Sequence, residues 1–324
     1  YLKELSRQIG QRAREDRHDY VLHFDEIWTH YVIKPIPKDQ WYEQVFEADR
    51  QIRQQYGFGK YGTPTSFAEG DPFDRIAYAR WAWDRLTESF VNGYDAAKKI
   101  NSNMKIVGPT HGSTATSGDI EAWSKGLDIY GGQTVGAQTN TLFDWVRPGC
   151  TTKLYVDLSG IPTWMMVHMS TRQMPVRDAE YIREAYSQVF RNGGENIWLM
   201  HMEFFDREIE DAMFAEPSKW HAMLELAKVI RDMRLPRMPE VADTAILFSA
   251  ITTVTDQWGG LSGDNDRHIS AYAALGPCLR NWFHFVSDRQ IYRGTRDLAT
   301  YKTVFVPWAT YEHPDVLELS LIHI

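Results

Sequence analysis

The sequence is constrained most by an alternation of short apolar runs with longer segments of helical periodicity. Apolar runs recur at 19–28, 104–109, 127–133, 161–170 and 195–205. Helical spacing of apolar residues predicts helices over 76–100, 119–125, 178–191 and 218–233. Such alternation predicts parallel strands joined by crossover helices, and the nearly continuous apolar runs indicate a sheet covered on both faces. Two architectures fit, an open doubly wound sheet and a closed barrel.

Polar residues at the predicted strand ends favour the barrel. No glycine-rich phosphate loop follows the first strand, which weighs against a dinucleotide-binding sheet. Instead, polar side chains collect at the carboxyl ends of the strands, where barrel enzymes place their chemistry: Asp25, Glu26, His111, Gln133, His168, His201 and Glu203. We therefore predict that residues 1–236 form part of a (β/α)8 barrel.

A second α/β domain is predicted after a linker at 235–241 that contains two prolines. The strand–helix pattern restarts beyond it, with a strand at 244–249, a helix at 268–285 and a strand at 302–307. This predicts a domain over 242–324. Because the sequence opens inside an amphipathic helix without a methionine, we expect an internal fragment whose second domain is cut short.

Charge and composition limit the partners. The net charge is −8 and no run of Lys or Arg occurs, which argues against nucleic acid or an anionic membrane surface and suits a neutral substrate. No stretch approaches 18 consecutive apolar residues, so no transmembrane helix is predicted. The two cysteines fit no metal-ligand spacing. The sequence does not decide the cellular location.

Two glutamates are the candidate catalytic groups. Glu26 ends the first strand, where partial burial would raise its pKa toward that of a general acid; the alternative is a structural Asp25–Glu26 pair that caps the strand. Strand alternation places Leu199, His201 and Glu203 on one face, which we predict to be the barrel interior. Glu203 there could be a nucleophile, a sugar ligand or half of a buried ion pair. Glycoside hydrolysis needs two such carboxyl groups.

Histidine and tryptophan at the strand ends admit several roles. His111 and His168 could be satisfied core residues, or could bind a metal together with Glu203 and His201. No compact ligand motif supports a metal, so no cofactor is predicted. Trp28, Trp164 and Trp198 could form a sugar platform or pack in the core.

The order of these segments resembles the family 42 glycoside hydrolases, which are β-galactosidases. Glu26 in YVLHFDEIW matches the acid/base position, where the family has Asn before Glu and this chain has Asp25. The run at 46–57 is similar to the segment after barrel strand 4, and 242–249, 283–291 and 298–307 are similar to the flavodoxin-like trimerisation domain. The resemblance implies barrel strands 4–8, then a truncated flavodoxin-like domain, and a homo-oligomer such as a trimer.

One departure from the family concerns its nucleophile. The family carries a Glu on strand 7, whereas the matching run at 162–168, PTWMMVH, has Val167 or His168 at that position. Glu203 could have taken the role, the enzyme could invert with water as nucleophile, or hydrolysis could be lost. The family's zinc-binding cysteines are also missing.

We therefore predict a glycoside hydrolase acting on β-linked, galactose-containing oligosaccharides. Glu26 would be the general acid/base and Glu203 the second carboxylate. His168 and Trp164 would line the cleft, and the predicted substrate-binding residues are Asp25, Trp28, His111, Gln133, Trp164, His168 and His201. The first alternative is a glycan-binding barrel without hydrolysis, and the second is a metal-dependent barrel enzyme.

Overall fold

The computed structural model describes residues 2–22, 72–111, 119–134, 142–168, 179–200, 217–232, 238–253, 266–312 and 316–318. Its first sheet has five strands: β1 (Tyr20–Leu22), β2 (Lys105–His111), β3 (Ile129–Thr134), β4 (Thr163–His168) and β5 (Asn196–Met200). The helices around it are α1 (Leu2–Glu15), α2 (Pro72–Ile100), α3 (Ile120–Ser124), α4 (Leu142–Ser159), α5 (Ala179–Arg191) and α6 (Pro217–Asp232). No described helix has the length and apolar character needed to span a membrane.

The first sheet is a curled half-barrel. Its strands are all parallel and follow the chain in the order β1-β2-β3-β4-β5. The rings of Tyr20 on β1 and Trp164 on β4 lie 5.0 Å apart, although two strands separate them. In a flat sheet these strands would be about 14 Å apart, so the two rings meet across the concave face. The predicted partial barrel is confirmed.

The convex face is covered by helices, and α4 packs closest at β3. Tyr130 on β3 stacks on Tyr155 of α4 with 5.1 Å between ring centroids. A Cβ at Gly132 would come within 2.4 Å of the Tyr155 ring, so only glycine fits there. Because alternate residues face opposite sides, the even positions of β3 face α4 and Gln133 faces the interior.

The helix α4, which lies between β3 and β4, was not predicted from the sequence. The helix contains Pro148, and its buried surface includes polar side chains such as Thr152 and Lys153. Proline and buried polar residues both obscure the periodic apolar pattern from which a helix is predicted. The hydroxyl of Thr152 donates to the Pro148 carbonyl over 2.7 Å.

The second sheet is parallel as well, in the order β7-β6-β8. It comprises β6 (Thr244–Phe248), β7 (Phe283–Ser287) and β8 (Thr303–Phe305), with α7 (Asp266–Ala273), α8 (Asp288–Tyr292) and a 3-10 turn (Leu298–Thr300) between them. The strand β6 is buried along its whole length. A second α/β unit is therefore present, as predicted.

The helix predicted over 268–285 is wrong in its second half. After α7 the chain forms a π-helical turn, Ala274–Cys278, and Arg280 then takes a left-handed conformation with φ of 53°. This turn ends the helix, and the apolar residues from Phe283 form β7 instead. A short apolar run is compatible with a buried strand or with a helix, so the periodicity alone did not show that the helix ends before Phe283.

The second sheet packs against α4. Phe283 and Phe285 of β7 belong to the same apolar cluster as Tyr155 and Leu158 of α4. The carboxylate of Asp157 on α4 accepts a hydrogen bond from the backbone N–H of Phe285 over 2.7 Å. The two sheets are thus joined through one continuous core.

Candidate active site at the carboxyl edge of the half-barrel

The strand register aligns three predicted site residues at one edge of the half-barrel. His111 on β2 is paired with Gly132, next to Gln133 on β3, and His168 ends β4 opposite Met200 of β5. Adjacent strands lie about 4.8 Å apart, and the register places His168 three residues further along its strand than His111, so their backbones are about 14 Å apart. This is the edge at which barrel enzymes carry out their chemistry.

The buried side chain of Gln133 lies near the carboxyl edge of β3. Only 3% of it is exposed. Gln133 is paired with Met166. Gly131, two positions earlier and therefore on the same face of β3, is paired with Trp164, which lies on the concave face. The amide therefore points into the interior near the carboxyl edge, where it can bind a hydroxyl group of a ligand as donor and as acceptor.

The catalytic candidates lie outside the described residues. Glu26, together with Asp25 and Trp28, follows the last described residue of β1, Leu22, at a distance of three to six positions. Glu203 and His201 come within three positions after the end of β5. Both β1 and β5 end at the carboxyl edge of the sheet. The segments that carry Glu26 and Glu203 therefore begin at the edge where Gln133 lies.

Trp164, which was predicted to line the cleft, lies near the amino-terminal end of the half-barrel interior. It is the second residue of β4, and its ring packs on Tyr20, the first residue of β1. At about 3.3 Å per residue, its Cα is about 13 Å from that of His168 along the strand. The ring thus contributes to the floor of the half-barrel at its amino-terminal end.

The alternation of β5 is the reverse of the predicted one. Ile197 packs toward the helices, beside Phe190 of α5 and Met223 of α6. Odd-numbered positions of the described strand therefore lie on the convex side, whereas Leu199, His201 and Glu203 were predicted to face the interior. A Glu203 that faces the interior requires a break in this alternation after Met200.

A buried charge network behind the edge was not predicted. Asp119 follows the β2–α3 connection and caps α3, accepting from the N–H of Ala122 over 3.2 Å. Its carboxylate also accepts from Arg289 Nε over 3.1 Å and from Arg293, both on the second domain. Arg293 reaches Glu121 as well, over 3.2 Å. The partners are about 170 positions apart, so no local pattern could have revealed them.

Electrostatics keep Asp119 ionised. Burial would raise the pKa of this carboxyl, but the hydrogen bonds and charges of Arg293 and Arg289 outweigh it, and the pKa lies below its ordinary value. The same contacts raise the pKa of Arg293 against the effect of burial. Asp119 is therefore a charged anchor between the half-barrel and the second domain.

Two of the predicted metal-ligand candidates, His201 and Glu203, lie outside the described residues. Among the residues that the structure describes, no group of three or more His, Cys, Asp or Glu side chains could hold a metal ion. Cys150 is buried and Cys278 is exposed, and neither forms a disulfide.

Comparison with known proteins identifies the fold. No family model matches the sequence, and no curated protein matches it. Among solved structures, the β-galactosidase of the Antarctic haloarchaeon Halorubrum lacusprofundi superposes with a TM-score of 0.75 at 13% identity, over 99% of this chain and 54% of its own. That of the psychrophilic Marinomonas ef1 gives 0.72 at 12%, over 98% and 56%. A family 42 β-galactosidase from G. stearothermophilus gives 0.69 at 12%, over 99% and 52%.

The structural likeness confirms the predicted resemblance to family 42 β-galactosidases at the level of the fold. It extends over both the half-barrel and the second domain, since nearly the whole chain superposes. The chain spans about half the length of these structures.

Proposed function

On the premise of this shared fold, we propose that the protein is a glycoside hydrolase acting on β-linked, galactose-containing oligosaccharides. The observation that carries the proposal is the carboxyl edge of the half-barrel, where β1 leads to Glu26 and the buried amide of Gln133 faces the interior. The structures with this fold named above are β-galactosidases, which supports the sugar class.

Glu26 is the proton donor in this proposal. A carboxyl group at the mouth of a barrel can protonate the glycosidic oxygen as the bond breaks, provided that its pKa is raised toward the working pH. Asp25 tunes Glu26 or binds a sugar hydroxyl. Gln133, His111 and His168 bind further hydroxyls around the same edge. The substrate contacts are completed by Trp28 and His201.

Glu203 is the proposed second carboxylate. A separation of about 5–5.5 Å between its carboxyl group and that of Glu26 would favour a retaining mechanism, and one of about 6.5–9.5 Å would leave room for a water molecule and favour inversion.

The test is the substitution Glu26→Gln in the full chain, assayed on aryl β-galactosides and lactose. We expect turnover to fall by about 10²–10⁴-fold while sugar binding persists, because the amide keeps the shape but cannot deliver a proton. Glu225→Gln is the matched control, since Glu225 is an exposed residue of α6 whose partner among the described residues is Arg183. Unchanged turnover in Glu26→Gln would remove Glu26 from the mechanism.

A glycan-binding barrel without hydrolysis is the second candidate. The motivating observation is β4, Thr163–His168, which carries no carboxylate at the position where the resembled family has its nucleophile. Sugar release by the unmodified chain above that of a Glu26→Gln/Glu203→Gln double variant excludes this candidate. Equal release from both would favour it.

A further inference from the structure

A cavity of about 430 Å³ opens on the outer, helix-covered side of the half-barrel, where α4 and α5 meet the π-helical turn and β7. Its volume falls within the range of small-molecule sites. We propose that this cavity is a second binding site, separate from the proposed active site, for a neutral pyranose sugar. The choice of galactose as its occupant rests on the proposed function, whereas the neutral-sugar chemistry rests on the cavity itself.

Aromatic rings form much of the wall of this cavity, and contacts with neighbouring residues fix their positions. Trp145 packs edge-to-face on Tyr181 with 5.4 Å between centroids. The indole N–H of Trp282 donates to the Pro239 carbonyl over 3.2 Å. Phe283 completes this wall. Rigid, flat apolar surfaces bury the C–H face of a sugar ring at little cost in side-chain entropy.

The charges that line the cavity cancel in pairs. Lys153, at the base, lies 3.1 Å from the carboxylate of Asp157 and 3.8 Å from the centroid of the Trp282 ring. At the rim, Arg191 lies 2.6 Å from Glu184. Because neither pair has a charge left over, a charged ligand would bring an uncompensated charge into a largely apolar cavity. A neutral ligand avoids this penalty.

Hydrogen-bonding capacity at the rim favours a ligand with hydroxyl groups. Gln188 donates to the Trp145 carbonyl and to Glu184 and accepts from the Gly149 N–H, so both of its N–H groups are already used. The second carboxylate oxygen of Glu184 and the amide oxygen of Asn281 accept no hydrogen bond from any residue that the structure describes. Both can accept from sugar hydroxyls, which a purely apolar ligand could not supply.

The π-helical turn shapes one side of the opening. Its wider hydrogen bond runs from the N–H of Leu279 to the carbonyl of Ala274, five residues back, over 2.9 Å. Turns of this kind are rare and occur frequently at functional sites. Gly276 and Pro277 of the turn line the cavity. Among the described residues, a Cβ at Gly276 would contact the Phe283 ring alone, at 3.5 Å, so the backbone leaves room for a side chain at this position.

The experiment measures galactose binding to the full chain that carries Glu26→Gln. The first readout is hydrogen–deuterium exchange over residues 274–283, which reports on this cavity whether or not the protein hydrolyses sugar. The second is calorimetric titration with galactose. We expect galactose to slow exchange in this segment. Gly276→Leu should weaken binding at this site at least tenfold, because the leucine fills the cavity, whereas Gly276→Ala should change it less than threefold.

A rim variant keeps the test decisive if Gly276→Leu does not fold. Glu184 is about 40% exposed, so Glu184→Gln should fold normally, and the loss of its negative acceptor should weaken galactose binding three- to tenfold. Glu225→Gln, the same substitution on α6, should leave binding unchanged. Equal galactose binding by Glu184→Gln and Glu225→Gln, or unaltered exchange at 274–283, would overturn the proposal.

The two proposals fail separately in this design. If the protein hydrolyses sugar but galactose does not slow exchange at 274–283, the second-site proposal alone is overturned. If galactose slows exchange there but the protein releases no sugar, the hydrolase proposal is overturned and the second-site proposal stands. Protection by benzoate in place of galactose would overturn the neutral-sugar assignment.

Discussion

The buried carboxylate of Asp119 offers a direct test of how the two domains are held together. It is 1% exposed and is contacted by Arg289, itself 6% exposed, and by Arg293. The substitution Asp119→Asn keeps an oxygen that can cap α3, because asparagine is as good an N-cap as aspartate. It removes the negative charge, however, and leaves the two guanidinium groups without their main counter-ion.

The expected loss of stability follows from burial. Removing one partner of a buried ion pair costs about 3–5 kcal/mol, because the remaining charge stays desolvated and uncompensated. Asp243→Asn is the matched control. Asp243 pairs with Lys302 over 2.6 Å, but both side chains are more than 60% exposed. Solvent screens that pair, so its loss should cost less than about 1 kcal/mol.

Equilibrium unfolding in urea, followed by circular dichroism and tryptophan fluorescence at neutral pH, measures both costs. The difference between wild type and Asp119→Asn should also depend on pH. Because the folded pKa of Asp119 is lowered, its contribution is complete above the unfolded pKa of about 4 and is lost as the pH falls through the folded value. Stability losses within 1 kcal/mol of each other for the two variants at pH 7 would refute the reasoning.

Two further predictions concern packing and thiol reactivity. Gly132→Ala should destabilise the chain by about 1–3 kcal/mol in urea unfolding, because its Cβ would lie 2.4 Å from the Tyr155 ring, whereas Gly276→Ala should cost under about 1 kcal/mol; equal costs would contradict this packing. A disulfide reagent at pH 8 should label Cys278, which is exposed, and spare Cys150, whose pKa burial raises to about 12. Labelling of Cys150 should require denaturant, and equal native rates for the two thiols would disprove its burial.

The predicted elements that proved correct share a physical basis. The runs that became β2 and β4 contain consecutive apolar residues between polar ends, as is typical of strands in a parallel sheet that is covered on both faces. Their identity is therefore encoded locally. The helix α2 was predicted for a related reason, since its buried residues Trp83 and Phe90 lie on one face.

The elements that the sequence did not reveal depend on tertiary partners. In α4, the buried Lys153 pairs with Asp157 one turn further along the same helix, and its ammonium group lies against the Trp282 ring of the second unit, which covers this face of the helix. The apolar run from Phe283 is a strand and not a helix because it pairs with β6 and packs on α4. Neither outcome follows from local propensity.

For the candidate site, the sequence alone determined which polar residues follow the strands, since strand ends are marked by the loss of apolar character. Only the tertiary structure decided which of them meet. Register brings His111, Gln133 and His168 to one edge, while the curl of the sheet moves Trp164 onto Tyr20 at the opposite end. Spacing along a strand says which residues share a face, but which face becomes the interior is fixed by the helices that cover the other one.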